Sequence, residues 1–466
     1  MQARSVDSSS RWIALAFIAL AQLMVALDAT IVSIALPSVQ RALHFTNAER
    51  QWVVTAYTLP LAGLLLLGGR IADSIGRKRA FLIGLTGFAA ASALGGAALD
   101  LRMLALARAL QGAFAALLSP TALSLLAVTF TEPRERAKAF AVYGGIAGSG
   151  GAIGLVLGGA LTQMASWRWC LYVNVAIAAV AFVGARRVVP RTPGTGDLRA
   201  DIPGVLLVGS GLVCAVSACT SSYAPWLAFA AVVLLALFVV REARAENPLL
   251  PLHIVADRNR GGACLCAALA IVGMFGLFLL LTYYFQTVLH YPPVMAGLAF
   301  LPMTASSLFV ATTLASRLLP RLPPRALMAP GLLTASFGMA LLTRIDADTH
   351  YLTGILPAEI CVGLGMGCAM ITAFSVATQG ISPREAGVAS ATVNASQQVG
   401  GSIGTALLNA VAASSLVPVQ GYATAAAWAS GALFVASLLA TLFITLPTAA
   451  SPRTGSAPQM QAPPPR

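Results

Sequence analysis

Three ionisable side chains, Asp28, Arg108 and Glu359, lie inside long apolar runs of the sequence. An ionised group facing lipid costs a few kcal/mol or more, so each should face a cavity or a partner. A carboxyl in a low-dielectric cavity can hold a proton at neutral pH, and an approaching cation favours the charged form and expels that proton. The chemistry such residues offer is proton exchange, with no bond made or broken in a substrate. Two readings stand for Asp28 and Arg108. They are an exchange site with a relaying or gating arginine, or a structural ion pair. For Glu359, which follows Pro357, the alternative is an interfacial position.

Weaker signals come from polar residues in the middle of apolar runs: Gln22, Tyr57, Gln111, Asn394, Gln397, Gln398 and Asn409. Such groups could line a substrate cavity, or only hydrogen-bond helices together. Gln397 and Gln398 follow Asn394 by one helical turn and give that segment a polar face. Tyr57, Tyr283, Tyr284 and Phe285 could stack on an apolar cation. Trp12, Trp52 and Trp226, near the ends of runs, read as interfacial anchors. The sequence has no Gly-x-x-x-x-Gly-Lys phosphate loop, so ATP is not the expected energy source. It has no Cys-x-x-Cys pair among its seven cysteines, so no metal or redox cofactor is expected.

The elements that carry these residues follow from composition. Of 466 residues, 58% are apolar and 10% charged, whereas a soluble domain carries about 25% charged residues. That excludes a soluble enzyme, a disordered scaffold and a fibrous protein. The net charge of +13 is spread in short clusters between apolar runs. This is a topology signal and not a nucleic-acid surface. A membrane-crossing helix needs about 20 mostly apolar residues. The runs are 12–36, 50–71, 79–99, 102–130, 137–163, 168–188, 201–222, 224–241, 262–288, 293–317, 325–344, 352–378, 385–413 and 421–446. The expected fold is therefore an all-α membrane protein of fourteen transmembrane helices. The first run is too long to read as a cleaved signal peptide. With both termini on the cytoplasmic side, 23 of the 29 Lys and Arg fall in cytoplasmic segments and five in outer loops. That is a strong positive-inside bias. The segment 447–466, rich in Pro, Ser and Gln, reads as a disordered cytoplasmic tail.

On this topology Asp28 lies roughly 24 Å above the inner face, and Arg108 and Glu359 lie about 9 Å and about 10 Å below the outer one. In a core about 30 Å thick the depths of Asp28 and Arg108 nearly coincide. The chain also resembles itself. Pro133-Arg134-Glu135 matches Pro383-Arg384-Glu385, and Gly150-Gly151-Ala152-Ile153-Gly154 matches Gly400-Gly401-Ser402-Ile403-Gly404. The expected organisation is two pseudo-symmetric six-helix halves, 12–188 and 262–446, around a two-helix insert, 201–241. Duplicated halves are a common transporter design.

The motifs carry a family resemblance. Gly69-Arg-Ile-Ala-Asp73-Ser-Ile-Gly76-Arg77-Lys78 resembles the loop signature of the major facilitator superfamily, G-x-L-A-D-x-x-G-R-K. Leu27-Asp28-Ala-Thr30-Ile-Val-Ser-Ile-Ala35-Leu36-Pro37 resembles a signature of its fourteen-helix drug:proton antiporters, and Arg108-Ala-Leu-Gln111-Gly112 resembles R-x-x-Q-G. Gly150, Gly154, Gly158 and Gly159 match the antiporter signature G-x-x-x-G-P-x-x-G-G of the fifth helix, with Leu155 in place of Pro. Trp167-Arg168-Trp169 and Asn174 fit W-R-W-x-x-x-x-N, with Ala176 where Pro is usual. The resemblance covers residues 12 to about 446. It implies a proton-coupled multidrug efflux transporter of the bacterial inner membrane, driven by the proton gradient without a cofactor. The alternatives are an exporter of one specific metabolite, siderophore or antibiotic, and a transport-inactive sensor or scaffold. The transporter's partners would be small molecules, protons and lipid. The resemblance implies a monomer, with a periplasmic adaptor protein left open. Gly69, Asp73, Gly76, Arg77 and Lys78 would be its conformational gate. Asp28, Arg108 and Glu359 would couple protons. Gln22, Tyr57, Gln111, Tyr283, Tyr284, Asn394, Gln397 and Gln398 would line its cavity.

Overall fold

A computed structural model describes residues 8–47, 49–130, 132–190, 193–194, 196, 201–219, 223–245, 252–319, 321–380, 383–415 and 417–445. The expected tail, 447–466, lies outside the described residues. Among those described there is no strand. The helices run α1 (Ser8–Leu43), α2 (Gln51–Ile75), α3 (Arg77–Gly96), α4 (Leu101–Thr129), α5 (Pro133–Met164) and α6 (Trp169–Val188). Then come α7 (Ile202–Ala218), α8 (Ala224–Arg244), short α9 (Leu252–Ala256), and α10 (Arg258–Tyr283), which continues as a π-helical turn, Tyr284–Val288. The tenth apolar run is not one even helix. It breaks at Phe300 between α11 (Pro293–Ala299) and α12 (Leu301–Phe309), then passes through a π-helical turn, Val310–Ala315, into α13 (Ser316–Leu318). Helices α14 (Pro324–Leu341), α15 (Leu356–Thr378), α16 (Pro383–Ala413) and α17 (Pro418–Phe443) complete the chain, with a third π-helical turn, Tyr351–Ile355, leading into α15.

Among the described residues, eleven helices are long and apolar enough to cross a membrane, or up to twelve if the bent α2 is one span. The 58° bend in α2 falls between Leu65 and Leu67, beside the Gly68–Gly69 pair. Helix α7 is apolar but shorter, at 17 residues. Helix α16 has the length, 31 residues, but carries Asn394, Ser396, Gln397 and Gln398 at its middle.

Helix ends are built from local side chains. Asp100 Oδ1 accepts from the Met103 amide at 2.7 Å and starts α4, and Asp257 Oδ1 accepts from the amides of Asn259 and Arg260 at the start of α10. Gly76 separates α2 from α3 at φ 95°, a conformation that side chains with a Cβ avoid.

The helices pack as two neighbourhoods. In one, α1 lies against α5 and α6, and α4 against α2 and α3. In the other, α10 lies against α16 and α17, and α14 and α12 against α15. They meet along α2 and α16 and along α5 and α11. Helix α8 rests on α7, which packs its Leu212 and Val216 against Leu59 and Ala62 of α2 and Ala406 of α16. Trp226, Phe229 and Val232 of α8 remain exposed. An apolar surface of that kind suits lipid.

Candidate functional site

The deepest polar cluster is centred on Asp28. Arg108 Nη1 donates to Asp28 Oδ2 at 2.5 Å, and Gln111 Nε2 and Asn174 Nδ2 donate to Oδ1 at 3.1 and 2.6 Å. The Asp28 carboxylate is fully buried and has three donors. Arg108 is held from every side. Its Nε donates to the Val53 carbonyl at 3.1 Å, its Nη1 also reaches Gln111 Oε1, and its guanidinium stacks on the Tyr57 ring at 4.4 Å. Gln111 Nε2 in turn donates to Ser92 Oγ at 2.7 Å. Five helices, α1, α2, α3, α4 and α6, thus converge on one ion pair. Tyr57 Oη and Asn174 Oδ1, at the edge of the cluster, are buried without a hydrogen-bond partner. The structure brings together Asp28, Arg108, Gln111 and Tyr57, and adds Asn174 and Ser92. The Tyr57 face is covered by Arg108 and is not open to a substrate cation here.

The loop motif sits at the basic end of the bundle. Arg77 donates to Asp73 Oδ1 with its Nε at 3.2 Å, one turn apart across Gly76. Lys78 Nζ closes the end of α6 by donating to the carbonyls of Arg186 and Val189 at 2.8 and 2.6 Å. Within this motif Gly69 is not the point of closest helix approach; its neighbour Gly68 is. A Cβ on Gly69 would meet only Pro120 at an ordinary 3.7 Å, whereas one on Gly68 would meet the Ala116 carbonyl carbon at 2.8 Å.

Glycines seat α5 on α1. Cβ atoms on Gly150, Gly154 and Gly158 would fall 2.7 Å from Ala26 Cβ, the Leu27 carbonyl oxygen and the Ile31 carbonyl oxygen. Gly159 faces α11, where a Cβ would lie 2.8 Å from the Pro293 carbonyl carbon. Thr30 Oγ1 donates to the Gly151 carbonyl at 3.0 Å. With Leu155 where the signature has Pro, α5 runs unbroken, and Leu155 is fully buried. Gly404 of α16 repeats the seat, its Cβ position 2.7 Å from the Val272 carbonyl of α10. Arg168 of the Trp-Arg-Trp motif donates to the carbonyls of Gly96 and Ala98 and closes α3, while Asn174 five residues after Trp169 reaches Asp28.

A second cluster lies at the opposite end from the basic loops, between the two neighbourhoods. Arg50, at the edge of the run 50–71 and one of the five charges assigned to outer loops, is buried. Its Nε donates to Asn409 Oδ1 of α16, and its guanidinium lies 4.3 Å over the Tyr283 ring of α10. Tyr283 Oη donates to Gln40 Oε1 of α1, Asn409 Nδ2 donates to the Asn47 carbonyl at 3.0 Å, and Gln286 Nε2 donates to the Ile34 carbonyl at 2.8 Å. Every one of these bonds crosses from α1–α2 to α10 or α16. Arg50 is presented by a capping box in which Glu49 Oε2 accepts from Thr46 N and Oγ1 at 2.9 and 2.8 Å. Those two bonds hold the Glu49 carboxyl below the usual range. The short α1–α2 connection hid Arg50 from sequence reasoning, since a charge beside a span end reads as a loop residue.

Glu359 belongs to neither cluster. It is fully buried in the first turn of α15, where Tyr351 Oη lies 3.2 Å from its Oε2. Tyr284 is also distant from the Asp28 cluster in its bonding, and its Oη donates to the Asp346 carbonyl at 2.6 Å. Gln22 Oε1 accepts from Tyr143 Oη at 2.6 Å. On α16, Gln397 Nε2 lies 3.3 Å from Met370 Sδ, and Asn394 Nδ2 donates to the Ser390 carbonyl. Gln398 is half-buried nearby on the same helix.

Among the described residues, eleven or twelve helices long and apolar enough to cross a membrane, packed into one bundle around a buried ion pair, define a multi-pass membrane protein. Residues 18–405 match the model of the Major Facilitator Superfamily, and the chain belongs to that family. It is 49% identical over 473 residues to the puromycin resistance protein pur8 of Streptomyces alboniger, covering 96% of this chain and 94% of the relative. It is 37% identical to the cephamycin export protein CmcT of Amycolatopsis lactamdurans, covering 88% and 87%. It is 34% identical to the lincomycin resistance protein of Streptomyces lincolnensis, covering 86% and 84%. Two of these three relatives are antibiotic resistance proteins and the third is an antibiotic export protein.

Proposed function

We propose that this chain exports hydrophobic, cationic antibiotic-like compounds across the bacterial inner membrane in exchange for protons. The observation that carries the reading is the buried Asp28–Arg108 pair, an ionisable group kept out of water inside a transporter fold. Such a pair is a weak contributor to stability, because desolvating both charges offsets their attraction. A coupling role accounts for its presence better. When the pair parts and the pocket rehydrates, Asp28 takes a proton; when Arg108 returns, the proton leaves. Arg108 is then the group that drives the proton off, and Gln111 and Asn174 hold the carboxylate in position. No cofactor is needed, since the proton gradient supplies the energy.

In this reading fourteen helical columns cross the membrane: α1 to α8, α10, α11 to α13 as one, and α14 to α17. Both termini are cytoplasmic, and the chain works as a monomer, with a periplasmic adaptor protein as its one macromolecular partner left open. Helices α1–α6 and α10–α17 are two pseudo-symmetric halves, and α7–α8 is an insert at their rim. The like seats at Gly154 and Gly404, 250 residues apart, support the duplication. Opening alternates between the two ends, with substrate held between the halves near Gln22, Asn394, Gln397 and Gln398.

One observation favours a narrower reading, export of a single antibiotic. The 49% identity to a puromycin resistance protein extends over nearly the full length of both chains. The test is expression in cells lacking their main efflux pumps, scored against puromycin, cephamycin, lincomycin and unrelated cationic dyes. Raised resistance to several compounds supports multidrug export, and resistance to one supports the narrower reading. No gain against any would overturn both.

A further inference from the structure

We infer that Glu359 is a second proton-carrying site, in the α10–α17 set, wired through Tyr351 to the break between α11 and α12. The inference rests on the transport reading for its purpose but not for its geometry. Tyr351 has one hydroxyl proton and two close oxygen neighbours. The Ala299 carbonyl is 2.7 Å away and Glu359 Oε2 is 3.2 Å away. A carbonyl has no proton to give, so an oxygen contact of 2.7 Å requires the tyrosine proton to lie there. With that proton directed to Ala299, the lone pairs of Tyr351 Oη face Glu359 Oε2, where they would repel a carboxylate and can accept from a carboxylic acid. In this arrangement Glu359 is a neutral acid donating to Tyr351 Oη.

The surroundings agree. Glu359 is fully buried, its Oε1 has no hydrogen-bond partner, and among the described residues no cationic group lies within ion-pair distance. An ionised carboxylate there would be an uncompensated buried charge. Its neighbourhood is aromatic. Phe285 packs edge-on to Tyr351 at 6.1 Å and to Phe300 at 5.4 Å, and stacks on Tyr291 at 5.8 Å. The titratable groups facing it are Tyr351 and, beyond Phe285, Tyr291; Asp346 binds Tyr284 instead, through its carbonyl. Two π-helical turns, Tyr284–Val288 and Tyr351–Ile355, flank this cluster. Such turns frequently mark functional positions.

The wiring makes proton loss a mechanical event. When the Glu359 O–H bond breaks and the proton passes to water, the carboxylate becomes an acceptor and needs a donor. Tyr351 is in reach, and its hydroxyl proton turns from the Ala299 carbonyl to Glu359. The Ala299 carbonyl, at the end of α11, then loses its bond from the π-helical turn that leads into α15. Protonation of Glu359 restores it. The proton state of one buried acid therefore sets whether the Ala299 end of α11 is bonded to the π-helical turn that precedes α15.

Infrared difference spectroscopy on the purified full-length protein in lipid vesicles tests this without any substrate, so its failure is separate from a failed antibiotic screen. At neutral pH the wild type should show the carbonyl band of a protonated carboxylic acid. Asp28→Asn should keep that band and Glu359→Gln should remove it. Tyr351→Phe, which keeps the ring and deletes the acceptor, should move it to the position of an unbonded acid. A wild type without the band, a band that survives in Glu359→Gln, or one that Tyr351→Phe leaves in place would each overturn the assignment.

Discussion

Arg108 has traded all its water for protein, with Asp28, Gln111, the Val53 carbonyl and the Tyr57 face around it. Removing one member of such a pair strands the other. Asp28→Asn alone should therefore destabilise the folded protein by about 3–5 kcal/mol, while Asp28→Asn with Arg108→Gln should recover much of the loss. Thermal unfolding in detergent measures both, and a double variant no more stable than the single one would mean that the pair is not the source of the cost. Asp73 is different, because it is half-exposed, and at that exposure its ion pair with Arg77 one turn away contributes little to stability. Asp73→Asn should leave membrane expression near normal and cut transport strongly. Wild-type transport rates would remove the gating role of the loop. The Asp28–Arg108 meeting was legible in the sequence because helix rise converts residue counts into depth, and both counts ended at one level. Ser92 was not legible, since a serine in an apolar run signals nothing until Gln111 is placed against it. Arg50 does lie in the α1–α2 connection, but its burial was not legible, because it depends on Tyr283 and Asn409, more than 230 residues away.

At the scale of elements, packing without Cβ atoms holds α5 to α1 and α16 to α10. Gly154→Val would drive a side chain against the Leu27 carbonyl and Thr30, and should destabilise by about 1–3 kcal/mol. The same loss should follow from Gly404→Val, and unequal thermal shifts would argue against matched seats. The repeated glycine run was legible as an internal repeat, but the helices it packs against were not. The π-helical turns were not legible either, because hydropathy and periodicity report a helix without its hydrogen-bond register. Nor was the break at Phe300, which lies within an evenly apolar run. Helix α8 is exposed along one side, so a cysteine at Val232 should react with a lipid-soluble maleimide and resist a charged one. Strong labelling by the charged reagent would place that side in water. The Thr46–Glu49 box adds a pH dependence. The folded carboxyl lies below its unfolded value, so its contribution is present above the unfolded pKa and fades as pH falls through the folded one. Amide exchange at residues 49–53 should accelerate over that acid window and not above neutrality.

For the whole molecule, the polar bonds around Arg50 close one end of the bundle. Arg50→Ala should shift the population toward opening at that end, seen as longer distances between spin labels near Leu43 of α1 and Tyr283 of α10. An unchanged distance distribution would deny the cluster a closing role. In the proposed cycle this end parts while the Asp28–Arg108 pair gives up or takes a proton, so the two events share one cycle. The most direct measurement is antibiotic uptake into inverted membrane vesicles under an imposed proton gradient. The account predicts accumulation by the wild type, its loss when the gradient is collapsed by a protonophore, and none with Asp28→Asn. Uptake that persists after the gradient is gone, or that Asp28→Asn leaves intact, would contradict proton-coupled export through this site.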